Sequence, residues 1–536
     1  MTISRSSNLS RRSLLTAGLG AGLIVAVPGT GIAAAGTVQG PAGLRTDPFG
    51  LGIASGEPWP DGFVIWTRLA VDPLADDGLG GMPARDVPVE WEVAEDERMA
   101  RVVKRGVAIA SIGSAHSVHV ELRGLRPGRE YFYRFRSGRY ISPVGRTLTA
   151  PAPNEIPAAL AMSFASCAQY EHGFFTAYKR MAEDQPDLVL HLGDYQYEYK
   201  KDSYVIGGGN VRDHDGPETV TLANYRQRHA QYKADADLQA AHAIAPWLVV
   251  WDDHEVDNNW ADEIPENQDP EQLNDSAAHF RQRRAAAFQA YYENMPLRPS
   301  ALPSGADMTI YRRVQWGRLA NFHMMDTRQY RDDQLAGDGW KKNVMERFDE
   351  NRTITGAEQE KWLLDGFKNS EARWDVLGQQ VFFAERDRAQ ALDVDDVSMD
   401  GWDGYAASRR RITQGWVDAG VRNAVVLTGD VHRHWAGDLK VDYKDPESPV
   451  VGSELVCSSI TSGGNGSATA TDSTMAWNQH LKFYNDQRGY VNTKITKDAM
   501  RADFRVLDYV STAGSAVRTK ASFDIVDTVP GLQARA

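Results

Sequence analysis

Short apolar runs recur along the later part of the chain, and each run ends in polar residues. In the clearest run, residues 188–192, four of the five residues are apolar, and a glycine follows the run directly. A run of this length without alternation predicts a strand buried on both faces. Asp194, Tyr197 and Glu198 come next, at the carboxyl end where open α/β sheets place their ligands. We therefore expect the chemistry of this protein to begin at this strand end.

Five further apolar runs have the same construction. They end in Ser166-Cys167, Asp252-Asp253-His254-Glu255, Asp326-Thr327-Arg328, Gly378-Gln379-Gln380 and Gly429-Asp430-Val431-His432. Charged residues rarely border a core repeatedly unless they are paired or hold a metal. Thiolate, phenolate, carboxylate and imidazole together suit a hard, oxidised transition ion, whereas carboxylates alone suit Ca²⁺, Mg²⁺ or Mn²⁺. The set predicts a mixed metal site, in which Asp194 could bridge two ions.

Residues 49–151 have a different pattern, in which apolar and polar residues alternate over short segments. Strand signals lie at residues 62–69, 87–93, 117–122 and 130–137, and turn residues separate them. This spacing predicts a small fibronectin-like β-sandwich that serves for packing or flanks the substrate. A Pro-rich linker follows, and strands then alternate with helices. The expected fold class is α/β (α+β layered), with the β-sandwich followed by a domain whose central β-sheets are flanked by helices.

The sequence predicts one helix with a defined start and a longer region that contains several helices. Thr355 and Glu358 have the spacing of a capping box, and apolar residues at helical spacing follow them. Residues 201–303 are rich in charged and aromatic residues and predict amphipathic helices with long loops. For most basic residues of that region we expect a solvated helix face.

The N-terminus has the layout of a cleavable signal peptide. Arginines precede an apolar stretch at residues 14–27, and three alanines follow at 33–35. The pair Arg11-Arg12 resembles a twin-arginine signal, whose export machinery carries folded proteins. We therefore expect a secreted or cell-envelope protein, with residues 1–35 as signal peptide, 36–150 as the β-sandwich and 157–536 as the catalytic domain.

Net charge and cysteine content exclude some ligands and some kinds of fold. The formal charge is −13, and it becomes −16 when the three arginines of residues 1–35 are removed. An acidic chain argues against binding to a nucleic-acid backbone and leaves metal cations plausible. The two cysteines, Cys167 and Cys457, are too few for a disulfide framework. We interpret Cys167 as a ligand and Cys457 as part of the core.

Four sequence blocks resemble a known family. FASC (164–167), HLGDYQYEY (191–199), WDDHEVDNNW (251–260) and GDVHRHW (429–435) are similar to the signature blocks of PhoD-type alkaline phosphatases, a branch of the calcineurin-like metallophosphoesterases. The resemblance covers nearly the whole chain after the signal peptide. Purple acid phosphatases share the layout, but they carry Asp in place of Cys167 and His in place of Asp430.

The resemblance implies a set of metal ligands. Fe³⁺ would be held by Cys167, Asp194, Tyr197 and His432. Ca²⁺ would be held by Asp194, Asp253 and Asp430. Weaker candidates are His434, which the family block does not always carry, and Asn294 and Asp326, for a second calcium.

The resemblance also implies a reaction, namely hydrolysis of phosphate monoesters and diesters by in-line attack of a metal-bound hydroxide. Arg328, preferred over Arg331, would bind the phosphate oxygens, and His254 would protonate the leaving group or stabilise the transition state. Glu198 is expected to support the site without binding a metal. Simple monoesters, phospholipid head groups and cell-wall polymers remain open as substrates. One alternative is a phospholipase D-type phosphodiesterase, which would need an apolar entrance beside the metals. Another is a calcium-binding module that recognises a surface polymer. We expect a monomer.

Overall fold

The computed structural model describes residues 44–266, 276–391 and 393–535, so the expected signal peptide lies outside the described residues. Residues Gly40–Ala536 form a compact unit. Within the described ranges, no helix is both long and apolar enough to cross a membrane.

The N-terminal region is the expected β-sandwich. Phe63, Val89 and Tyr133 belong to the apolar core between its two layers. One layer holds β3, β4 and β6 to β8, and the other holds β1, β2 and β5. The strands are β1 (Ile53–Trp59), β2 (Gly62–Arg68), β3 (Val87–Ala94), β4 (Val102–Ala110), β5 (Ser117–Glu121), β6 (Glu130–Ser137), β7 (Tyr140–Ile141) and β8 (Gly145–Leu148).

A second region contributes two large sheets with parallel centres. Its strands are β9 (Leu160–Ala165), β10 (Leu188–His191), β11 (Pro246–Val249), β12 (Arg312–Trp316), β13 (Ala320–Met324), β14 (Trp340–Lys342), β15 (Trp374–Gly378), β16 (Asp396–Ser398), β17 (Ala424–Thr428), β18 (His434–Lys440), β19 (Val450–Val456), β20 (Leu481–Asn485), β21 (Gly489–Ile495), β22 (Ala499–Leu507), β23 (Val517–Val526) and β24 (Leu532–Ala534). The first sheet has the order β24-β23-β22-β21-β9-β10-β11-β1-β2-β5, and the second has the order β12-β13-β15-β17-β19-β18-β20. Since β1 pairs in parallel with β11, one layer of the N-terminal sandwich continues into the first sheet.

Helices cover the outer faces of both sheets. They are α1 (Thr176–Glu183), α2 (Leu222–Lys233), α3 (Ala236–Ile244), α4 (Ala277–Asn294), α5 (Gly356–Lys368) and α6 (Ala406–Ala419). One-turn 3-10 helices lie at Ile112–Ser114, Tyr170–His172, Pro299–Ala301, Leu335–Gly337, Met345–Phe348, Trp402–Tyr405 and Ser473–Ala476.

The apolar runs are buried on both faces, as the sequence predicted. In β17, Val425 and Leu427 join the core between the two sheets, whereas Val426 packs into the core beneath α5 and α6. Removing a side chain of this size from water stabilises the fold by roughly 1.5–3 kcal/mol. The structure therefore confirms the α/β layered class.

Two local expectations about helices are wrong. Helix α5 begins after Thr355, but this residue has a helical backbone (φ −117°, ψ −8°) and makes no side-chain cap hydrogen bond. In α2, Arg226 and Lys233 are buried rather than solvated. Arg226 is buried because α2 packs on α4, where it pairs with Glu293 at 2.6 Å. Lys233 is buried against α3, where its Nζ lies 3.0 Å from His242 Nε2.

The turn after β10 requires glycine. Gly193 has φ +110°, and a Cβ added there would lie 2.4 Å from the Cβ of Asp252. We predict that Gly193→Ala lowers the free energy of unfolding by roughly 2 kcal/mol or more, because the two strand ends must separate. Denaturant titration measures this change. Gly138→Ala is the matched control, since Gly138 also has positive φ (+59°) but nothing lies within 4 Å of its added Cβ. If both variants lose the same free energy of unfolding, close packing of the strand ends is not the reason that position 193 requires glycine.

Candidate metal centre

The site lies where the carboxyl ends of strands from both sheets meet. Strands β9, β10 and β11 run parallel, so their ends lie at one edge of the first sheet. The end of β17 approaches this edge from the second sheet, and a Cβ added at Gly429 would lie 2.7 Å from the Cβ of Ser166. The glycine therefore allows the second sheet to bring Asp430 and His432 to the edge of the first.

Four side chains of different donor type converge at this edge. Ligand atoms of Cys167, Asp194 and His432 lie within 4.8 Å of one another. The Tyr197 hydroxyl is 2.8 Å from Asp194 Oδ2 and 3.1 Å from His432 Nε2. The structure thus brings together the four residues that the family resemblance assigns to iron.

Carboxylates extend this group into a row. Asp194 also groups with Asp253 and His254, and Asp253 groups with Asp252 and Asp430, by the same distance criterion. Asp252 was not among the predicted ligands, although it stands beside Asp253 in the sequence. The row places an oxygen-rich cluster next to the mixed cluster, with Asp194 in contact with both.

The donor atoms fit a bound cation. Within the described residues, Asp194 Oδ1, Asp252 Oδ2 and Asp253 Oδ1 are buried and have no hydrogen-bond partner. Burial raises the pKa of Asp194 well above its usual value, and Asp253 and Asp252 raise it further. Burial likewise raises the pKa of Asp252 to about 7, although Arg328 opposes the shift. Carboxylates in such a place need a positive charge, and a metal ion supplies it.

The backbone at the candidate ligands is strained. Four of them have positive φ in the left-handed region: Cys167 (61°), Asp194 (53°), Asp430 (62°) and His432 (54°). This conformation costs an L-residue roughly 1–2 kcal/mol, and such strain clusters at functional sites. Hydrogen bonds between the first two turns, from Cys167 N to Gly193 O at 3.1 Å and from Ala168 N to Asp194 O at 2.9 Å, hold the conformation.

Glu255 ties two strand ends together, and sequence reasoning missed this role. Its Oε2 accepts hydrogen bonds from the backbone N–H of Asp194 at 3.0 Å and of Asp252 at 2.8 Å. Its Oε1 accepts from Tyr195 N at 2.6 Å. The only sequence signal was an acidic residue in a predicted strand-end block. We infer that Glu255 positions both aspartates without being a ligand.

His254 lies at the centre of the row with one ring nitrogen occupied. Its Nδ1 is 2.8 Å from Glu198 Oε2, and its Nε2 is 3.9 Å from Asp253 Oδ2. The ring stacks on Tyr197 with centroids 4.0 Å apart. Burial alone would lower the pKa of His254, but Glu198 and Asp253 together raise it well above the usual value. Glu198 is therefore the hydrogen-bond partner of His254, a pairing that the sequence did not predict.

Arg328 is buried and faces carboxylates. Its Nε donates to Asp252 Oδ1 at 2.6 Å, its Nη1 donates to Asp400 Oδ1 at 2.9 Å, and its Nη2 is 3.6 Å from Asp253 Oδ1. Arg331 also donates to Asp400. Arg328 is therefore adjacent to the oxygen-rich cluster, as expected, and holds its aspartates. Its contact with phosphate stays a prediction.

The weaker candidates lie outside these groups. His434 Nδ1 accepts a hydrogen bond from Ser458 N at 3.0 Å. Asn294 Oδ1 accepts from Arg68 at 3.2 Å, and Asp326 Oδ1 accepts from the backbone N–H groups of Arg328 and Gln329 at 3.0 Å. These contacts support the fold. Cys457 is buried in the core between the sheets, as predicted.

Comparison with known proteins gives one consistent result. The family model "PhoD-like phosphatase" matches residues 160–504, and "PhoD-like phosphatase, N-terminal domain" matches residues 34–151. Alkaline phosphatase D of Bacillus subtilis (strain 168) is 51% identical over 478 residues, which are 89% of this chain and 80% of that protein. A solved structure of PhoD superposes with a TM-score of 0.88 at 49% identity and covers 92% of this chain and 93% of its own.

Repulsion among the carboxylates should limit the stability of the metal-free protein. We predict that Asp430→Asn raises the free energy of unfolding of chelator-treated protein at pH 8 by roughly 1–2 kcal/mol. The reason is that burial, Asp252 and Asp400 raise the pKa of Asp430 well above its usual value, so that a carboxyl group at this position destabilises the folded state at high pH. Added Ca²⁺ should stabilise this variant less than the wild type. Thermal unfolding with and without Ca²⁺ measures both effects.

Asp326→Asn is the matched control for this prediction, because Asp326 has hydrogen-bond donors around it. This variant should lose stability in the metal-free state and keep its response to Ca²⁺. If Asp430→Asn also lowers metal-free stability, the cluster is held together by hydrogen bonds and does not need a cation.

Proposed function

Because this chain belongs to the PhoD-like phosphatase family and is therefore a phosphoric ester hydrolase, we propose that it uses Fe³⁺ and Ca²⁺ to hydrolyse phosphate monoesters and diesters. The observation that carries the proposal is the position of Asp194. It is one of the four unlike donors, and it also groups with the carboxylate of Asp253. Two adjacent sites of different chemistry fit two different ions.

The donor types support the assignment of each ion. Cys167, Tyr197 and His432 add sulfur, phenol oxygen and imidazole nitrogen to the Asp194 carboxylate, a combination that suits oxidised iron. Asp252, Asp253 and Asp430 offer oxygen only, which suits calcium. When bound, such ions neutralise phosphoryl oxygens and lower the pKa of a coordinated water.

The protein's own residues orient the groups around that chemistry. Glu198 accepts a hydrogen bond from the Nδ1–H group of His254. The other ring nitrogen, Nε2, lies on the side of Asp253, where it can hold a proton for the departing alkoxide. Arg328 holds the carboxylates of Asp252 and Asp253 in position through its Nε and Nη2 groups. Glu255 fixes the backbone of Asp194 and Asp252, so that both carboxylates are placed before substrate arrives.

The entrance beside the carboxylates favours soluble phosphate esters over phospholipids. The adjoining cavity is lined by Arg386, Arg388 and Arg433 together with aromatic side chains. The phospholipase D-type alternative needs an apolar entrance for acyl chains, and this wall instead carries several charged side chains. We further propose that the protein is exported by the twin-arginine pathway, since its N-terminal sequence has that layout.

His254 provides the sharpest test of the proton-transfer role. We predict that His254→Gln lowers kcat for p-nitrophenyl phosphate by roughly 10²- to 10⁴-fold while the metal content stays at the wild-type level. Turnover and elemental analysis of the same preparation measure the two quantities.

Cys167→Ser is the comparison variant, because we assign Cys167 to the metal. It should lose iron and activity together. If His254→Gln loses metal in the same way, His254 is a ligand, as its proximity to Asp194 and Asp253 would allow.

A further inference from the structure

A cavity of about 410 Å³ opens beside Asp430 at the end of the carboxylate row. Trp340, Tyr484, Arg386, Arg388 and Arg433 line it. Since Asp430 belongs both to this wall and to the candidate calcium cluster, the cavity is continuous with the proposed reaction centre. A substrate bound at the centre can extend into this cavity.

The acidic side chains in the cavity wall are already paired. Asp403 accepts a hydrogen bond from Arg409 at 2.6 Å, and Asp472 pairs with Arg386. Asp430 is assigned to the metal. The remaining charge in the lining is therefore positive and comes from Arg388 and Arg433.

Arg388 is held in place by an aromatic ring and has no carboxylate partner among the described residues. Its guanidinium lies 3.6 Å from the ring centroid of Trp340, and none of the ion pairs found among the described residues includes it. Trp340 lies on the two-stranded ribbon of β14 and β16, where it pairs with Ser398. Stacking fixes the guanidinium plane and leaves its N–H groups available to an anion.

Arg433 also lines this cavity and lies in the loop between β17 and β18. It follows His432, which is assigned to the iron, and its side chain is 48% exposed. Its Nε is 3.4 Å from Asp486 Oδ1, and Asp486 also pairs with Arg488 at 3.1 Å. Arg433 therefore shares its carboxylate with another arginine and keeps donors for a ligand.

We propose that Arg388 and Arg433 form a subsite for a second phosphate group, carried by the substrate on the leaving-group side of the bond that is cleaved. This assignment rests on the proposed phosphatase function. A planar guanidinium can make two parallel hydrogen bonds to a phosphate, and the two arginines converge on one cavity. The preferred substrate class is thus an ester with at least two phosphates separated by a short linker.

The test compares two substrates that differ only in the second phosphate, butyl phosphate and 1,4-butanediol bisphosphate. For the wild type, we expect KM for the bisphosphate to be roughly tenfold lower after correction for its two equivalent phosphates, as one charge-assisted contact would give. In Arg388→Gln, where Arg433 alone remains, this KM ratio should fall to roughly half of its wild-type value or less. Arg388→Lys should keep part of the preference, because it retains the charge but not the planar fork.

Arg98→Gln is the matched control. It removes the same charge from an exposed position between β3 and β4, so the KM ratio should not change. As a readout that does not depend on turnover, calorimetry with non-hydrolysable 1,4-butanediphosphonate should show weaker binding to Arg388→Gln than to Arg98→Gln.

A wild-type ratio near one, or an Arg388→Gln variant that retains the wild-type ratio, would overturn the subsite while leaving the phosphatase intact. Hydrolysis of neither ester by the metal-loaded wild type would instead reject the proposed function and the subsite with it.

Discussion

Negative charge confined at the meeting point of two sheets is the constraint on which this structure depends. Asp194, Asp252 and Asp253 are buried, and each keeps one oxygen atom without a donor among the described residues. Such groups cost several kcal/mol unless a counter-charge is present. Arg328 and His254 supply part of it from the protein. The remaining negative charge favours a bound cation at this position.

The strained backbone around this charge lowers the stability of the fold, and burial of apolar side chains elsewhere offsets the loss. Left-handed backbone at Cys167, Asp194, Asp430 and His432 costs roughly 1–2 kcal/mol for each residue. Apolar runs on both faces of β10 and β17 offset that cost, because their side chains fill the cores on either side of each sheet. Glu255 adds a local restraint, since one side chain binds backbone groups from two different strand ends. The ligands are therefore positioned by the scaffold before any ion binds.

Sequence patterns predicted the parts of this architecture that are local. The buried runs and the polar residues after them located β9, β10 and β17, and the ligand types at their ends indicated a mixed metal site. Alternation likewise located β2, β3, β5 and β6. Local sequence patterns could not predict contacts between residues that are distant in the chain. Examples are the pairing of β1 with β11, the buried ion pair of Arg226 with Glu293, and the Asp400 carboxylate that receives Arg328. The Thr355 capping box failed because the backbone there is helical, which spacing alone cannot show.

We propose that Asp194 joins an iron site to a calcium site. The most direct measurement is the metal content of protein purified without chelator, recorded with the visible absorption of wild type and Tyr197→Phe. Iron and calcium should be found together, with a phenolate-to-iron absorption band that Tyr197→Phe removes. Calcium alone, with no visible band and no phosphatase activity, would contradict it.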